Sequence, residues 1–201
     1  KVRDKHDIVS ITEKLDGSNV SVCLLEGQIL PLIRAGYLAT KSPRKQHQLF
    51  GDWVRRNEDR FREVLQDGER ICGEWLIQAH GTHYDLPHEP FVAFDIMVGH
   101  ERKINEEFLS RVSDHFVVPR QIYKGNSAIP IEEVIRQIET SGHGALEPVE
   151  GAVWRVERKG KVDFLAKWVR PSKEDGSYFK DDDGNERELW NKWTGEWQLK
   201  K

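Results

Sequence analysis

The sequence predicts an α+β fold, with antiparallel sheets and helices packed outside them. Three observations support it. Eight strand-like stretches are interrupted by three helical ones. The last two strands read as a hairpin around Arg158-Lys159-Gly160-Lys161. Single ionic residues sit inside otherwise apolar strands: Lys14, Glu74, Asp95, Glu150 and Lys167. Such charges are expensive to bury unless they are paired or used, and five strands each aiming one at a common cleft would make a polar floor.

The elements follow in order. Ile8-Val9-Ser10-Ile11 reads as a strand running into the turn Glu13-Lys14-Leu15-Asp16-Gly17-Ser18-Asn19. Gly17 offers a positive φ if the turn requires one and allows close backbone approach. A lysine held at that mouth can act as a nucleophile once its surroundings free the amine lone pair, whereas an ordinary surface turn would leave it solvated. Residues 20–25 read as a strand and residues 29–40 as a long returning strand carrying Arg34. After the basic connection Lys41-Ser42-Pro43-Arg44-Lys45, one helix is expected over 46–65, with Phe50, Trp53, Val54, Phe61, Val64 and Leu65 inward. Its arginines 55, 56, 60 and 62 read as a solvated face balanced by Glu58, Asp59 and Glu63.

Residues 69–78 read as a buried strand centred on Glu74, followed by a loop with His80, His83 and His88. Those histidines match no strong zinc spacing and have no cysteine beside them, so packing and hydrogen bonding are expected there, not a metal. Residues 91–98 form another strand, 105–116 a helix, 117–123 a strand and 130–140 a helix with Pro130 near its first turn. Residues 150–156 and 162–169 are the hairpin strands. From Pro171 the chain changes character, acidic at Asp181-Asp182-Asp183 and then aromatic at Trp190, Trp193 and Trp197, which calls for packing on the body or on a partner.

At 201 residues the chain is large enough to bury a core as one domain, expected over 1–170, with 171–201 an extension packed on it. Hydrophobic residues make up 37% and charged ones 32%, a globular balance with a polar face. No apolar run approaches the roughly 18–20 residues of a membrane span, so no membrane partner is expected. The charged opening Lys1-Val2-Arg3-Asp4-Lys5-His6 leads straight into a strand and is not a leader. Cys23 and Cys72 read as two buried thiols in a reducing cytoplasm. A net charge of −3 argues against binding nucleic acid over the whole surface but leaves room for a local basic groove.

Taken in order, five stretches resemble the collinear motifs of the covalent nucleotidyltransferases, the superfamily of ATP-dependent ligases and mRNA-capping enzymes. Lys14-Leu15-Asp16-Gly17 is similar to the nucleophile motif. Gly73-Glu74, Phe91-Val92-Ala93-Phe94-Asp95-Ile96, Glu150-Gly151-Ala152-Val153 and Ala166-Lys167-Trp168 are similar to the four that follow. Within that superfamily the sequence most resembles RNA ligases of the phage RNA-ligase-2-like branch and its bacterial relatives. Glu13 before the lysine, Ser18-Asn19 after the glycine, and the His80-to-Pro87 loop behind Gly73-Glu74-Trp75-Leu76 carry that likeness.

The resemblance implies sheets flanking a nucleotide cleft, ATP with Mg2+ or Mn2+, and an RNA partner presenting 5'-phosphate and 3'-hydroxyl ends to a monomer. Lys14 would attack the α-phosphate, giving a lysyl-adenylate. Glu74 would hold the ribose hydroxyls, and Phe94 would stack on adenine, with Phe91 the fallback because alternation points the two to opposite faces. Glu150 would bind the metal, and Lys167 would touch the α-phosphate and help free the Lys14 amine. Glu13 and Asn19 are carried over as nucleotide-site residues. Two departures stand out. Leu165 replaces the first lysine of the usual Lys-x-Lys pair, leaving Lys167 alone or assisted by Arg170, and the basic residue after the nucleophile is either Arg34 or Lys41. About thirty residues follow Lys167, fewer than the OB-fold that DNA ligases append, so the chain reads as a minimal RNA ligase or the adenylyltransferase half of a longer protein. The rivals are a DNA ligase, a capping guanylyltransferase, and a catalytically silent nucleic-acid-binding module of the same fold.

Overall fold

A computed structural model describes residues 6–127 and 129–195. Two antiparallel sheets carry the molecule. The first strand, β1 (Ile8–Lys14), belongs to one of them, and β2 (Ser18–Leu25), which follows directly, belongs to the other. The stretch Leu15-Asp16-Gly17 is therefore a crossing between sheets and not a hairpin turn.

The second sheet is built on β2. β3 (Gln28–Ile33) returns beside it through a turn in which Glu26 and Gly27 both take positive φ. The expected long strand over 29–40 stops at Ile33. The amide of Gly36 reaches back to the Ile33 carbonyl at 2.8 Å, and Gly36 itself has φ +84°, so Arg34 lies in a tight reversal. The chain passes through one turn of 3-10 helix (Ala39–Lys41) into the helices. The single helix expected over 46–65 is two, α1 (Lys45–Arg56) and α2 (Glu58–Val64). Asn57 breaks it, with its side-chain amide donating to the Trp53 carbonyl at 2.8 Å, the competition that keeps Asn out of helix interiors. The apolar face was read correctly: Phe50, Trp53, Val54, Phe61, Val64 and Leu65 are all buried.

β4 (Glu69–Trp75), the two-residue β5 (Asp85–Leu86), β6 (Phe91–Val98) and β7 (Glu101–Arg102) come next, giving the sheet order β3-β2-β4-β6-β7. β4 ends before the expected residue 78, because the amide of Leu76 bonds to Pro90 and that of Ala79 to Leu189. α1 and α2 cover this sheet through an aromatic core in which Trp53 lies 5.3 Å from Phe91 and 5.5 Å from Trp75, ring centre to ring centre. Cys23 and Cys72 lie on β2 and β4 as free, partly buried thiols, less enclosed than expected.

α3 (Asn105–Val112) has Glu106 and Glu107 in its first turn and Arg111 in its last, the arrangement a helix dipole favours. It is followed by β8 (Gln121–Gly125), four residues later than the expected start at 117, since Val117 is already spent on a parallel bridge to Val92. α4 (Ile131–Gln137) packs Val134 and Ile138 onto Val9, Ile11, Ala152 and Val156. The hairpin β9 (Gly151–Arg158) and β10 (Lys161–Val169) turns through Lys159 and Gly160, both at positive φ, and completes the order β10-β9-β1-β8.

The stretch after Val169 lies back on the molecule. Trp190 packs on the aromatic core, and β11 (Lys192–Trp193) pairs in parallel with β5. Trp197 lies outside the described residues. No helix among the described residues is long and apolar enough to cross a membrane.

Candidate active site

The two sheets face each other across a cavity of about 1170 Å³, and the crossing from β1 to β2 forms its edge. On β1, strand alternation sends Val9 and Ile11 into the core beneath α4 and leaves Ser10, Thr12 and Lys14 on the cleft. Lys14, the last residue of β1, pairs across to Gly151, and its ammonium is in direct contact with the Glu150 carboxylate. Gly17 supports this corner by closeness and not by a positive φ. A Cβ there would come within 2.7 Å of the Trp75 carbonyl and 2.9 Å of Leu76.

Three acids surround Lys14. Glu74, on β4 beside its ladder partner Asn19, accepts the Gly17 amide at 3.1 Å. Burial pushes its carboxyl up to about 8, against the pull of Lys14. Burial also raises Glu150, again opposed by Lys14, with Lys167 pulling the same way as Lys14. Asp16 accepts the Gly81 amide at 2.9 Å and is raised by burial as well, with its hydrogen bonds from Thr82 and Gly81 opposing the rise. The corner therefore holds more carboxylate than its lysines neutralise.

Phe94 reaches the cleft through a bulge. Cys72 pairs with Asp95 but Gly73 pairs with Ala93, which leaves Phe94 without a partner on β4. Phe91, Ala93 and Ile96 face the aromatic core, while Phe94 and Asp95 both border the cleft. Phe91 is thus removed as an alternative. Asp95 is not free for a ligand, because it contacts the Arg155 guanidinium and accepts from Arg102 Nε at 2.8 Å.

Of the remaining expected residues, Asn19, Arg34 and Lys167 line the cleft and Lys41 does not. Glu13 borders it but spends its carboxylate elsewhere: one oxygen accepts from the Ser141 hydroxyl, the other from the Gly142 amide at 2.8 Å. It shares the face of Val9 and Ile11, so its expected place on a ligand is corrected to a strut beneath Lys14. Leu165 lines the cleft opposite Arg155. Arg170 is held by the Val149 carbonyl at 3.2 Å and lies outside the cleft, so it does not replace the missing lysine.

Several cleft residues escaped the sequence reading. Arg155 was one of many arginines, with nothing local to mark it. His47 bridges the Ser18 and Ser42 hydroxyls at 2.9 and 2.8 Å. His80 meets the Gln46 amide at 3.1 Å, and burial pushes its imidazole down to about 4. Asp175 and Phe179 come from the C-terminal stretch, where Lys173 ties the chain to the Gly81 carbonyl and the Thr82 hydroxyl at 3.1 Å each. The loop histidines diverge: His80 turns to Gln46, His83 stacks by Tyr178 and His88 meets His143 at 2.7 Å. Among the described residues no group of three or more His, Cys, Asp or Glu side chains is arranged to hold a metal ion.

No curated protein matches the chain. Solved structures do. A Naegleria gruberi RNA ligase mutant with ATP and Mn superposes at TM-score 0.60 and 16% identity, over 84% of this chain and 51% of that one. The same organism's RNA ligase with PPi gives 0.57 and 16%, over 81% and 49%. An archaeal ATP-dependent RNA ligase gives 0.49 and 21%, over 82% and 43%. The chain spans about half the length of the solved structures it matches, and at these identities the likeness to the Naegleria enzyme is one of fold. The family model described as RNA ligase matches residues 7–169, from the start of β1 to the end of β10. With the cleft and its lysine inside that span, the chain belongs to the RNA ligase family.

Proposed function

We propose that this protein is an ATP-dependent RNA ligase that joins 5'-phosphate and 3'-hydroxyl ends through a covalent lysyl-AMP. The observation that carries the reading is the Lys14 ammonium held against Glu150 at the edge of a two-sheet cleft, with Glu74 and Asn19 facing it from the opposite sheet. The family match and the ATP-bound relative of the same fold support it.

In the first step the Lys14 amine attacks the α-phosphorus. The N–P bond forms, the P–O bond to pyrophosphate breaks, and the ammonium proton leaves first. Glu150 is placed to take that proton, since its burial makes it a better base than a solvated carboxylate. In the second step the RNA 5'-phosphate displaces Lys14 from phosphorus, giving an RNA-adenylate. In the third the 3'-hydroxyl displaces AMP. Glu74 suits the ribose hydroxyls, because a carboxyl pushed to about 8 both donates and accepts near neutral pH. Phe94 offers its ring to the base, while Arg34 and Lys167 supply charge for the phosphates.

A divalent cation, Mg2+ or Mn2+, fits the surplus of carboxylate around Lys14. Glu150 would hold it together with phosphate oxygens, since Mg2+ in such sites uses one or two carboxylates. It would neutralise charge on the departing pyrophosphate. The two free thiols suit a reducing cytoplasm.

The test is intact mass after incubation with ATP and magnesium. One added AMP is expected, mapped by peptide mass to Lys14 and absent in Lys14→Ala. A chase with 5'-phosphorylated RNA should then discharge it. An adduct on another lysine, or none on the wild type, overturns the reading.

A further inference from the structure

The inner end of the cleft differs in chemistry from its mouth. Around Lys14 the groups are charged; deeper in, the walls are the apolar side chains Phe94, Phe108, Leu109 and Val118. Two neutral polar side chains face that end. Ser10 is only 2% exposed, and its hydroxyl has no hydrogen-bond partner among the described residues. Asn105 opens α3 with its backbone amide committed to the Glu157 carboxylate, while its carboxamide has no bonding partner. The nearby charges are already matched, Asp95 to Arg155 and Arg102, so the free hydrogen-bonding capacity is uncharged. A buried hydroxyl left unpaired costs stability, and a group retained in that state at the wall of a cavity is waiting for a ligand atom.

Position supplies the second half of the argument. Ser10 lies on the same β1 face as Lys14, four residues before it and so roughly 13 Å down the strand. That depth places it beyond a phosphate and a sugar bound at the Lys14 end, next to the ring of Phe94. An apolar slot with a few fixed neutral donors and acceptors takes a flat heterocycle and not a phosphate.

We infer that Ser10 and Asn105 are the residues that choose the nucleobase, hydrogen-bonding the edge of adenine while Phe94 holds its face. The inference rests on the proposed adenylylation of Lys14. A carboxamide offers a donor and an acceptor side by side, the complement of the amino group and adjacent ring nitrogen of adenine. Guanine reverses that pattern at the same edge, so one of its groups would face a like partner.

The experiment compares the rate of Lys14 labelling by ATP and by GTP in wild type, Ser10→Ala, Ser10→Thr and Asn105→Asp. Ser10→Ala should slow labelling by ATP and cut the preference for ATP over GTP by about tenfold, a loss typical of removing one specifying contact. Ser10→Thr, which keeps the hydroxyl, should retain more of the preference. Asn105→Asp, which removes the donor, should also narrow it. Melting without nucleotide separates this role from a structural one: Ser10→Ala should melt no lower than wild type, because it deletes a hydroxyl that bonds to nothing. An unchanged ATP-to-GTP ratio in both Ser10→Ala and Asn105→Asp, with wild type labelling normally, overturns the inference alone. Failure of wild type to label with either nucleotide would instead remove the reading beneath it.

Discussion

Glu74 is the residue most at odds with its own charge. Its carboxyl rises from an ordinary 4.5 to about 8 by burial, so the folded protein keeps a proton that the unfolded chain has already released. Stability must then fall as pH rises between about 4.5 and 8. His80 and His143 act in the opposite sense. Burial depresses both from 6.5 to about 4, so the unfolded chain takes up protons the native state refuses, and stability falls as pH drops below 6.5. Between 6.5 and 8 the carboxyl slope stands clear of the histidines. The melting temperature of the nucleotide-free protein should decline across that interval, and Glu74→Gln should flatten the decline. Calorimetry on the two proteins decides it, and an identical slope in both would refute the assignment. A nucleotide whose ribose hydroxyls share the Glu74 proton would also weaken the slope in wild type.

At the scale of elements the choice between Arg34 and Lys41 becomes geometric. Arg34 follows β3 in a reversal that turns it to the cleft, whereas Lys41 ends a 3-10 turn outside it. Arg34→Ala should slow lysyl-adenylate formation by about tenfold or more, the range for losing one electrostatic stabiliser, while Lys41→Ala should leave it near wild type. Single-turnover labelling separates them, and a larger loss in the lysine variant would reverse the assignment. Which residues reached the cleft was legible where the side chain was set by strand period alone, as for Lys14, Glu74 and Lys167. It was illegible where backbone irregularity intervened. Period two puts Phe94 and Asp95 on opposite faces, and only the bulge on β6 brings both to the cleft. Asn57 splits one apolar stripe into two helices, and no change of periodicity signals it, since both halves bury the same face. Glu13 went astray for a different reason: its partners, Ser141 and Gly142, come from a loop far along the chain. The same holds for Asp175 and Phe179, which arrive on a stretch anchored by one lysine.

Across the whole molecule the two sheets are joined by the chain crossing at Lys14 and by the ionic clamp of Arg155 on β9 with Asp95 on β6. Asp95 is almost fully buried, so removing it strands the Arg155 charge inside the protein. Asp95→Ala should cost about 3–5 kcal/mol in urea unfolding, the usual penalty for breaking a buried pair. Arg102→Ala, on the more exposed side of the same carboxylate, should cost about 1 kcal/mol or less. Similar losses in the two variants would show that the clamp does not bear on the sheet junction. The strand order has a consequence in time. β1 is ordered by β8 on one side and β9 on the other, with Ile8 opposite Glu157 and Lys14 opposite Gly151. The nucleophile is among the first residues to leave a ribosome, yet the strands that fix its place are among the last. Until β9 emerges, β1 has no sheet to join, and contacts closing so long a loop form late in folding. A nascent chain stalled before residue 150 would display Lys14 and Glu74 without the acid that meets the lysine, so the reactive corner is assembled only when synthesis is nearly done.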